Sequence, residues 1–283
     1  MKQNLIDYGY GVGALVAHRG MNDLRIIRST SYQLGETMVG AEYIISRLSA
    51  GMEGLDELMG GGLPENSQNL VVGDPGSGKT LFSIEAAYKS ALSGIKTTLI
   101  TTDQSVNDVL KCTNSVFPNF NLKKVIDSGF LNLVEIEMEA EFGNRENFLM
   151  FLANIINASR ANESKFLVLD SISLMRSLFD TNRTFTRSVN YMMESLRNSK
   201  LTSIVTLESS QHYHNTAPGL YEQSMFDGVL KLKNFKNNGQ IKHFIYVDKL
   251  RYSKFSPEYF GFDITSNGLV INEDKIIQNS VLY

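Results

Sequence analysis

Eight consecutive residues of the chain have the composition and spacing of a phosphate-binding loop. They follow the short apolar segment 70–72 and are Gly73, Asp74, Pro75, Gly76, Ser77, Gly78, Lys79 and Thr80. The glycines let the backbone curl so that its N–H groups point at phosphates, and the positive N-terminus of a following helix adds to them. The lysine reaches the β- and γ-phosphates, and the threonine hydroxyl can join a magnesium shell. Residues 81–90 have the composition of that helix, so the sequence predicts a site for a nucleoside triphosphate with Mg²⁺ that extends to Leu81.

A strand-end carboxylate is the second candidate ligand. Residues 166–169 are apolar, and Asp170 follows them directly. The carboxyl end of a strand in a parallel sheet lies at the edge where ligands bind. We therefore expect Asp170 to hold the magnesium ion, through a water molecule, opposite Thr80. The alternatives are that Asp170 merely ends a buried strand and that the glycines form a purely structural turn.

The composition is that of a globular protein without a strong charge bias. The chain has 283 residues, of which 42% are hydrophobic and 20% are charged, and its formal net charge is −3. This charge gives no general attraction to nucleic acid or to an anionic membrane. The single cysteine, Cys112, excludes an internal disulfide, and no apolar run approaches the length of a membrane span. We therefore expect a soluble, cytoplasmic protein.

Short apolar segments alternate with helical ones from residue 43 onwards. Strands are predicted at 70–72, 97–101, 131–136, 166–169 and 202–207, and helices at 81–90, 146–159 and 184–200. Strands that alternate with helices form a mostly parallel sheet covered on both faces, which predicts an α/β fold. Residues 1–42 show no sustained period, and we predict that they form an N-terminal extension, such as a docking arm, to one main domain at 43–283.

The last part of the chain has strands without intervening helices. They are predicted at 228–233, 242–249 and 268–272. Asn237, Asn238 and Gly239, between the first two strands, are typical of a turn. The first two strands are therefore expected to form an antiparallel hairpin at the edge of the sheet.

Further motifs accompany the phosphate loop. They are Ser49-Ala50-Gly51-Met52-Glu53-Gly54-Leu55-Asp56-Glu57-Leu58, Gly60-Gly61-Gly62-Leu63-Pro64, Val168-Leu169-Asp170-Ser171-Ile172-Ser173, Lys249-Leu250-Arg251 and Phe262-Asp263-Ile264. With the phosphate loop, this combination resembles the RecA superfamily, and most closely the KaiC-like ATPases and RadA paralogues common in archaea. The resemblance runs from residue 46 to residue 272 and is more specific than the phosphate loop alone.

The resemblance implies a RecA-like P-loop NTPase core that binds ATP with Mg²⁺ at the junction between subunits of a ring, such as a hexamer, or of a filament. In KaiC-like proteins a Lys-x-Arg pair on a late hairpin reaches the triphosphate of the neighbouring subunit, and Lys249 and Arg251 occupy that place here. Residues i and i+2 of a strand share a face, so both cations can point at one anion. The alternative is a solvated basic face that protects an edge strand from aggregation.

The chain departs from the resemblance at the acid that polarises the attacking water. KaiC-like enzymes usually carry two adjacent glutamates at the end of the strand after the phosphate-loop helix, whereas this chain has Asp103 and Gln104. Aspartate is one methylene shorter, and glutamine cannot accept a proton. Asp103 can still act while Gln104 orients the water, or it is only a polar residue at a strand end, so slow hydrolysis is expected. Glu208, after the strand 202–207, is a candidate sensor beside the γ-phosphate.

Three functions are compatible with these features. The first is an oligomeric ATPase with slow turnover that signals its nucleotide state to a partner protein. The second is a nucleotide-gated module that holds ATP without useful turnover, which Gln104 favours. The third is a recombinase-like paralogue that binds DNA through the basic stretch 231–254 or the loop 209–220. The negative net charge and the short N-terminal extension count against the third function.

Overall fold

The chain divides into two compact units, Met1–Ile44 and Ile45–Tyr283. The computed structural model describes residues 15–20, 23–28, 45–137, 145–177, 179, 181–209, 220–237 and 240–272. In the first unit, β1 (Leu15–Gly20) and β2 (Asp23–Arg28) form an antiparallel hairpin. This hairpin was not predicted, because two strands this short carry too little alternation to show a period. The predicted domain boundary at residue 42 stays a prediction.

The second unit alternates strands with helices. In chain order its elements are β3 (Arg47–Leu48), α1 (Leu55–Leu58), β4 (Leu63–Pro64), β5 (Gln68–Gly73), α2 (Lys79–Leu92), β6 (Thr97–Thr101), α3 (Val106–Val116), α4 (Leu122–Asp127), β7 (Leu131–Glu135), α5 (Arg145–Ala161), β8 (Phe166–Asp170), α6 (Ser173–Ser177), α7 (Asn182–Asn198), β9 (Thr202–Glu208), α8 (Leu220–Met225), β10 (Gly228–Asn237), β11 (Gln240–Leu250), β12 (Phe260–Thr265) and β13 (Gly268–Asn272). β3 and β4 pair with each other in a separate two-stranded sheet.

The described residues of this unit build a nine-stranded sheet with the order β13-β12-β11-β10-β5-β9-β8-β6-β7. Neighbouring strands from β10 to β7 run parallel, whereas β10 to β13 are joined as antiparallel neighbours. This confirms the predicted α/β fold, with a mostly parallel sheet flanked by helices and antiparallel strands towards its C-terminal end. The predicted hairpin consists of β10 and β11, and residues 238 and 239 of its turn lie outside the described residues. Its predicted position at the edge of the sheet is wrong, because β12 pairs with β11 and β13 follows β12.

The sheet is buried on both faces because its central strands contribute apolar side chains to a hydrophobic cluster on each side. In β5, Val71 belongs to the hydrophobic cluster that contains Phe82 of α2. Its neighbours Leu70 and Val72 belong to the opposite cluster, which contains Val189 of α7. Successive side chains of a strand point to opposite faces, and a shift by one residue would exchange them. Burial on both sides therefore fixes the register of β5 and the position of the loop that follows it.

The predicted elements are present with small differences in their bounds. The strand predicted at 97–101 is β6, and the helices predicted at 81–90, 146–159 and 184–200 correspond to α2, α5 and α7. Helices α3 and α4, between β6 and β7, were not predicted. α3 buries two of its residues fully, Val109 and Thr113, while Leu110, Cys112 and Val116 pack against the same cluster only in part. In the described parts of the chain, no helix combines the length and apolarity needed to cross a membrane.

Candidate nucleotide-binding site

The carboxyl ends of four parallel strands meet at one edge of the sheet. In the pairing of β5 with β9, Gly73 lies opposite Glu208. In the pairing of β6 with β8, Thr101 lies opposite Asp170. The edge of a parallel sheet at its carboxyl ends is the usual ligand position in α/β folds.

The phosphate loop connects β5 to α2 through backbone conformations that require glycine. Gly76 and Gly78 have φ values of 74° and 97°, in the left-handed region that other residues rarely adopt. A Cβ atom at Gly73 would overlap Ser77 Oγ and lie 2.8 Å from the carbonyl oxygen of Leu232. Gly78 is the N-cap of α2, so the positive end of this helix faces the loop. The local sequence therefore produces the nest of N–H groups that a phosphate needs.

Lys79 lies at the centre of the site. Its Nζ donates to the carbonyl oxygens of Gly73 and Asp74, both at 2.9 Å. Burial lowers the pKa of Lys79, and the carboxylates of Glu208, Asp170, Asp74 and Asp103 act in the opposite direction. Lys79 therefore lies within reach of the acids that the sequence predicted at this edge.

Asp170 and Thr80 are adjacent, as a shared magnesium site requires. Asp170 accepts hydrogen bonds from the hydroxyl groups of Thr80 and Thr206. Burial raises the pKa of Asp170, and the nearby Asp103 adds to this, while the two hydroxyl groups and Lys79 oppose it. A buried carboxylate beside a hydroxyl group offers oxygen ligands of the kind that Mg²⁺ prefers. These residues therefore fit the ion.

A magnesium ion held by Thr80 and Asp170 would need further ligands. Within the described residues, no group of three or more His, Cys, Asp and Glu side chains could hold a metal ion. Mg²⁺ commonly uses one or two protein ligands and completes its octahedron with water and phosphate oxygens. The site therefore fits a magnesium ion that arrives with a triphosphate.

Asp103 and Gln104 follow β6 at the same edge, and they differ in their surroundings. Asp103 Oδ2 accepts a hydrogen bond from Ser171 Oγ at 2.6 Å. Gln104 is exposed, and its backbone carbonyl accepts from the Thr101 hydroxyl at 2.9 Å. Asp103 therefore faces the residues that follow Asp170, whereas Gln104 is tied to the end of β6 through its backbone.

Several hydroxyl groups of the site were missed by sequence reasoning. The backbone N–H of Glu208 donates to Ser173 Oγ at 2.9 Å, and Ser209 Oγ donates to Asp74 Oδ1. Thr206 precedes Glu208 by two residues and contacts Asp170. Ser171 and Ser173 belong to the motif around Asp170, and their position directly after a strand was the signal that could have identified them.

The late strands also support the phosphate loop. Asn234 of β10 donates from Nδ2 to the carbonyl oxygen of Gly76 at 2.9 Å. The Asn234 side chain shares a hydrogen bond with His243 Nδ1 at 2.8 Å. No sequence motif indicated this contact, because it depends on the pairing of β10 with β5.

Lys249 and Arg251 lie away from the phosphate loop of their own subunit. In the sheet, Gly228 is opposite both Asn69 of β5 and Leu250 of β11. The two cations therefore flank the amino end of β5, whereas the loop follows its carboxyl end. Six residues of strand separate these ends by roughly 17 Å, more than a lysine or arginine side chain can span. The predicted cations and the predicted loop are not brought together within one subunit.

The fold and this geometry define a class of protein. It is that of a P-loop nucleoside triphosphatase domain. Such a domain has a strand, a glycine loop with a lysine and a threonine, a helix, and an aspartate at the end of another strand, all at the carboxyl edge of a parallel sheet. The family model described as "ATPase: KaiC" matches residues 48–276. The chain therefore belongs to the KaiC ATPase family, and the resemblance inferred from the sequence is confirmed.

Individual relatives agree with this assignment. The circadian clock oscillator protein KaiC of Picosynechococcus is 27% identical over 241 residues, which are 82% of this chain and 45% of the relative. The chain thus spans about half the length of that protein. A UPF0273 protein of Pyrococcus furiosus is 23% identical over 85% of this chain and 99% of its own length. The crystal structure of a KaiC-like protein from Pyrococcus horikoshii superposes with a TM-score of 0.70 at 25% identity, over 81% of this chain and all of that one.

Proposed function

We propose that this protein binds ATP with Mg²⁺, hydrolyses it slowly, and assembles into a ring or filament in which each ATP lies between two subunits. Its nucleotide state is then signalled to a partner protein. The observation that carries this proposal is the separation of charges within one subunit. The acids and Lys79 lie at the carboxyl edge of the sheet, and Lys249 and Arg251 lie at the opposite end of β5.

The charge balance of the loop supports a site shared between subunits. Four carboxylates, those of Glu208, Asp170, Asp74 and Asp103, act on the single ammonium group of Lys79. A triphosphate adds further negative charge, so it needs cations that the loop does not provide. Mg²⁺ would supply part of the positive charge that the triphosphate needs. Thr80 and Asp170 would hold it, while Lys249 and Arg251 of a neighbour would supply the rest.

Slow turnover follows from the residues that could activate water. Asp103 is the carboxylate at the end of β6, and one of its oxygens is engaged by Ser171. This hydrogen bond turns the carboxylate towards Ser171, and aspartate is one methylene shorter than glutamate, so its reach to an attacking water molecule is short. Gln104 cannot accept a proton, although it can orient a water molecule. In this proposal Asp103 acts as the base, and Glu208 senses the γ-phosphate from β9.

The experiment that tests this function measures mass and phosphate release together. Multi-angle light scattering with and without ATP and Mg²⁺ is compared for the wild type, Lys79→Ala and Lys111→Ala. Lys111 is an exposed residue of α3 that pairs with Asp108, so it controls for the loss of a lysine. We expect ATP to increase the mass of the wild type and of Lys111→Ala, and not that of Lys79→Ala. A wild-type mass that does not depend on ATP, with no phosphate release, would contradict the proposal.

A nucleotide-gated module without useful turnover is the second candidate. Gln104 favours it, because an amide cannot take the proton of an attacking water molecule, and Asp103 Oδ2 is already engaged by Ser171. Tight ATP binding and ATP-dependent assembly, with phosphate release at the rate of ATP in buffer, would select this candidate over the first.

A further inference from the structure

One buried carboxylate joins Arg251 to the centre of the sheet. Asp227, between α8 and β10, is 5% exposed. Its Oδ1 accepts a hydrogen bond from Arg251 at 3.1 Å, and its Oδ2 accepts from Arg197 of α7 at 2.9 Å. A charge at this depth needs charged or hydrogen-bonding partners, and the two guanidinium groups provide them.

The position of Asp227 is fixed by the core strands. The backbone N–H of Gln68 donates to Asp227 Oδ2 at 3.0 Å, and the N–H of Asp227 donates to the carbonyl oxygen of Gln68 at 2.7 Å. The Gln68 side chain in turn donates to Leu201 O at 2.8 Å and accepts from Ser203 Oγ at 2.5 Å. The carboxylate is thus anchored to β5 and β9, which are rigid elements, and not to a free loop.

Lys249 and Arg251, the two candidate cations, both contact the segment 224–227. The backbone N–H of Arg251 donates to the carbonyl oxygen of Asp227 at 2.8 Å. Lys249 Nζ donates to the carbonyl oxygen of Phe226 at 2.6 Å and to that of Ser224 at 3.0 Å. Arginine and lysine lose rotamer entropy when they are ordered by a ligand, and ordering them beforehand removes that cost from binding.

We infer that Asp227 is a positioning residue that holds Arg251 in the orientation in which it meets the triphosphate of a neighbouring subunit. The inference rests on the proposed function, which puts Arg251 in the neighbour's site. The contact with Asp227 uses one of the five N–H donors of the guanidinium group. Because the other donors point in different directions of the same plane, the group can bind Asp227 and a phosphate oxygen together.

The test is a double-mutant cycle on the full chain, with Asp227→Asn, Arg251→Ala and the two combined. The quantity measured is the ATP concentration that gives half-maximal assembly, because it does not require turnover. We expect Arg251→Ala to raise this concentration by about tenfold or more, and Asp227→Asn to raise it by about three- to tenfold. The double variant should match Arg251→Ala alone, because Asp227 acts through Arg251.

Two further measurements separate positioning from stability. Arg197→Ala removes the other ion pair of the same carboxylate, so it should lower the thermal midpoint and change the half-maximal ATP concentration by less than about twofold. If Asp227→Asn does not fold, Asp227→Glu, which keeps the charge and displaces it by one methylene, takes its place in the cycle with the same expectation.

The outcomes distinguish this inference from the proposed function. If the effects of Asp227→Asn and Arg251→Ala multiply in the double variant, Asp227 acts independently of Arg251 and the inference is wrong, while the shared site stands. If Arg251→Ala assembles at the same ATP concentration as the wild type, the contact across subunits is wrong, and the inference fails with it.

Discussion

Gly73, the first residue of the phosphate loop, lies directly opposite Glu208 in the parallel pairing of β5 with β9. This register places the loop beside the acids that follow the neighbouring strands. At the other end of β5, Gln68 contacts Asp227, which holds Arg251. One strand therefore connects the predicted phosphate-binding loop with the cations proposed to complete the site of another subunit.

Substitution of Gly73 tests the loop geometry. A Cβ atom at this position would overlap Ser77 Oγ and lie 2.8 Å from the backbone of Leu232, which cannot move without displacing β10. We expect Gly73→Ala to lower ATP affinity by about tenfold or more and to lower the thermal midpoint.

Gly94→Ala is the control for Gly73→Ala. Gly94 has a φ of 87°, and a Cβ there would meet no atom within 4 Å, so Gly94→Ala destabilises the backbone without a steric overlap and controls for a general loss of stability. Calorimetric titration with ATP should show unchanged affinity for Gly94→Ala. Equal affinities for both variants would mean that the contact at Gly73 does not matter for binding.

Asp170→Asn tests the magnesium site. Burial raises the pKa of Asp170, so the ionised carboxylate lowers the stability of the folded protein when no ligand is bound. The variant should keep or increase the thermal midpoint, whereas its affinity for ATP in the presence of Mg²⁺ should fall by about tenfold or more. Titrations with Mg²⁺ and with EDTA separate the two effects, because the loss should disappear in EDTA. A loss of equal size in EDTA would assign Asp170 another role.

Asp103→Asn tests the base. The change keeps the shape of the side chain and the contact with Ser171 while it removes the proton acceptor. We expect phosphate release to fall by about tenfold or more, with ATP affinity changed by less than about twofold. The exposed Asp127, which pairs with Lys123 on α4, provides a matched aspartate-to-asparagine control. If Asp103→Asn releases phosphate at the wild-type rate, Asp103 is not the base.

Glu85 gives the fold a pH-dependent stability. This residue of α2 is 1% exposed, its Oε2 accepts from the N–H of Leu269 at 2.7 Å, and Lys89 lies 3.9 Å away. Burial raises the pKa of Glu85 from 4.5 to about 7. The folded state therefore binds the proton more tightly than the unfolded state, and this contribution to stability is present below pH 4.5 and is lost as the pH rises to about 7.

Glu85→Gln should remove this dependence. The free energy of unfolding of the wild type is expected to lose up to about 3 kcal/mol from this group between the two pKa values, and the variant should be more stable than the wild type at pH 8. Urea denaturation across this pH range measures the difference, with the exposed Glu65→Gln as the control. A variant that is less stable than the wild type at pH 8 would contradict the expectation.

The parts of the fold that the sequence predicted are those with strong local patterns. The strand before the phosphate loop, the helix α2 and the strand that ends at Asp170 are each marked by an apolar run beside a residue of special chemistry. The late hairpin was predicted from the turn at 237–239. α3 was missed because many of its residues are polar and exposed. Its N-cap, in which Ser105 accepts from the N–H of Asp108, was a local signal that could have identified its start.

The site was predicted less completely, because its contacts come from different strands. Lys79, Thr80 and Asp170 could be found from local motifs. Thr206 and Asn234 could not, since their contacts depend on which strands are neighbours in the sheet. The ion pair between Asp227 and Arg251 depends on the same long-range pairing, and no local sequence pattern predicts it. Sequence spacing therefore identified the residues of the loop, and the topology identified their partners.

The central claim is that the ATP site is complete only between two subunits, and a mixing experiment tests it directly. Lys79→Ala and Arg251→Ala subunits are each expected to release little phosphate, because each lacks one half of every site. When equal amounts are mixed at an ATP concentration at which light scattering shows co-assembly, some interfaces join the intact loop of an Arg251→Ala subunit to the intact Arg251 of a Lys79→Ala subunit, so turnover should rise well above that of either variant alone. No recovery in mixtures shown by light scattering to have co-assembled would contradict the shared site.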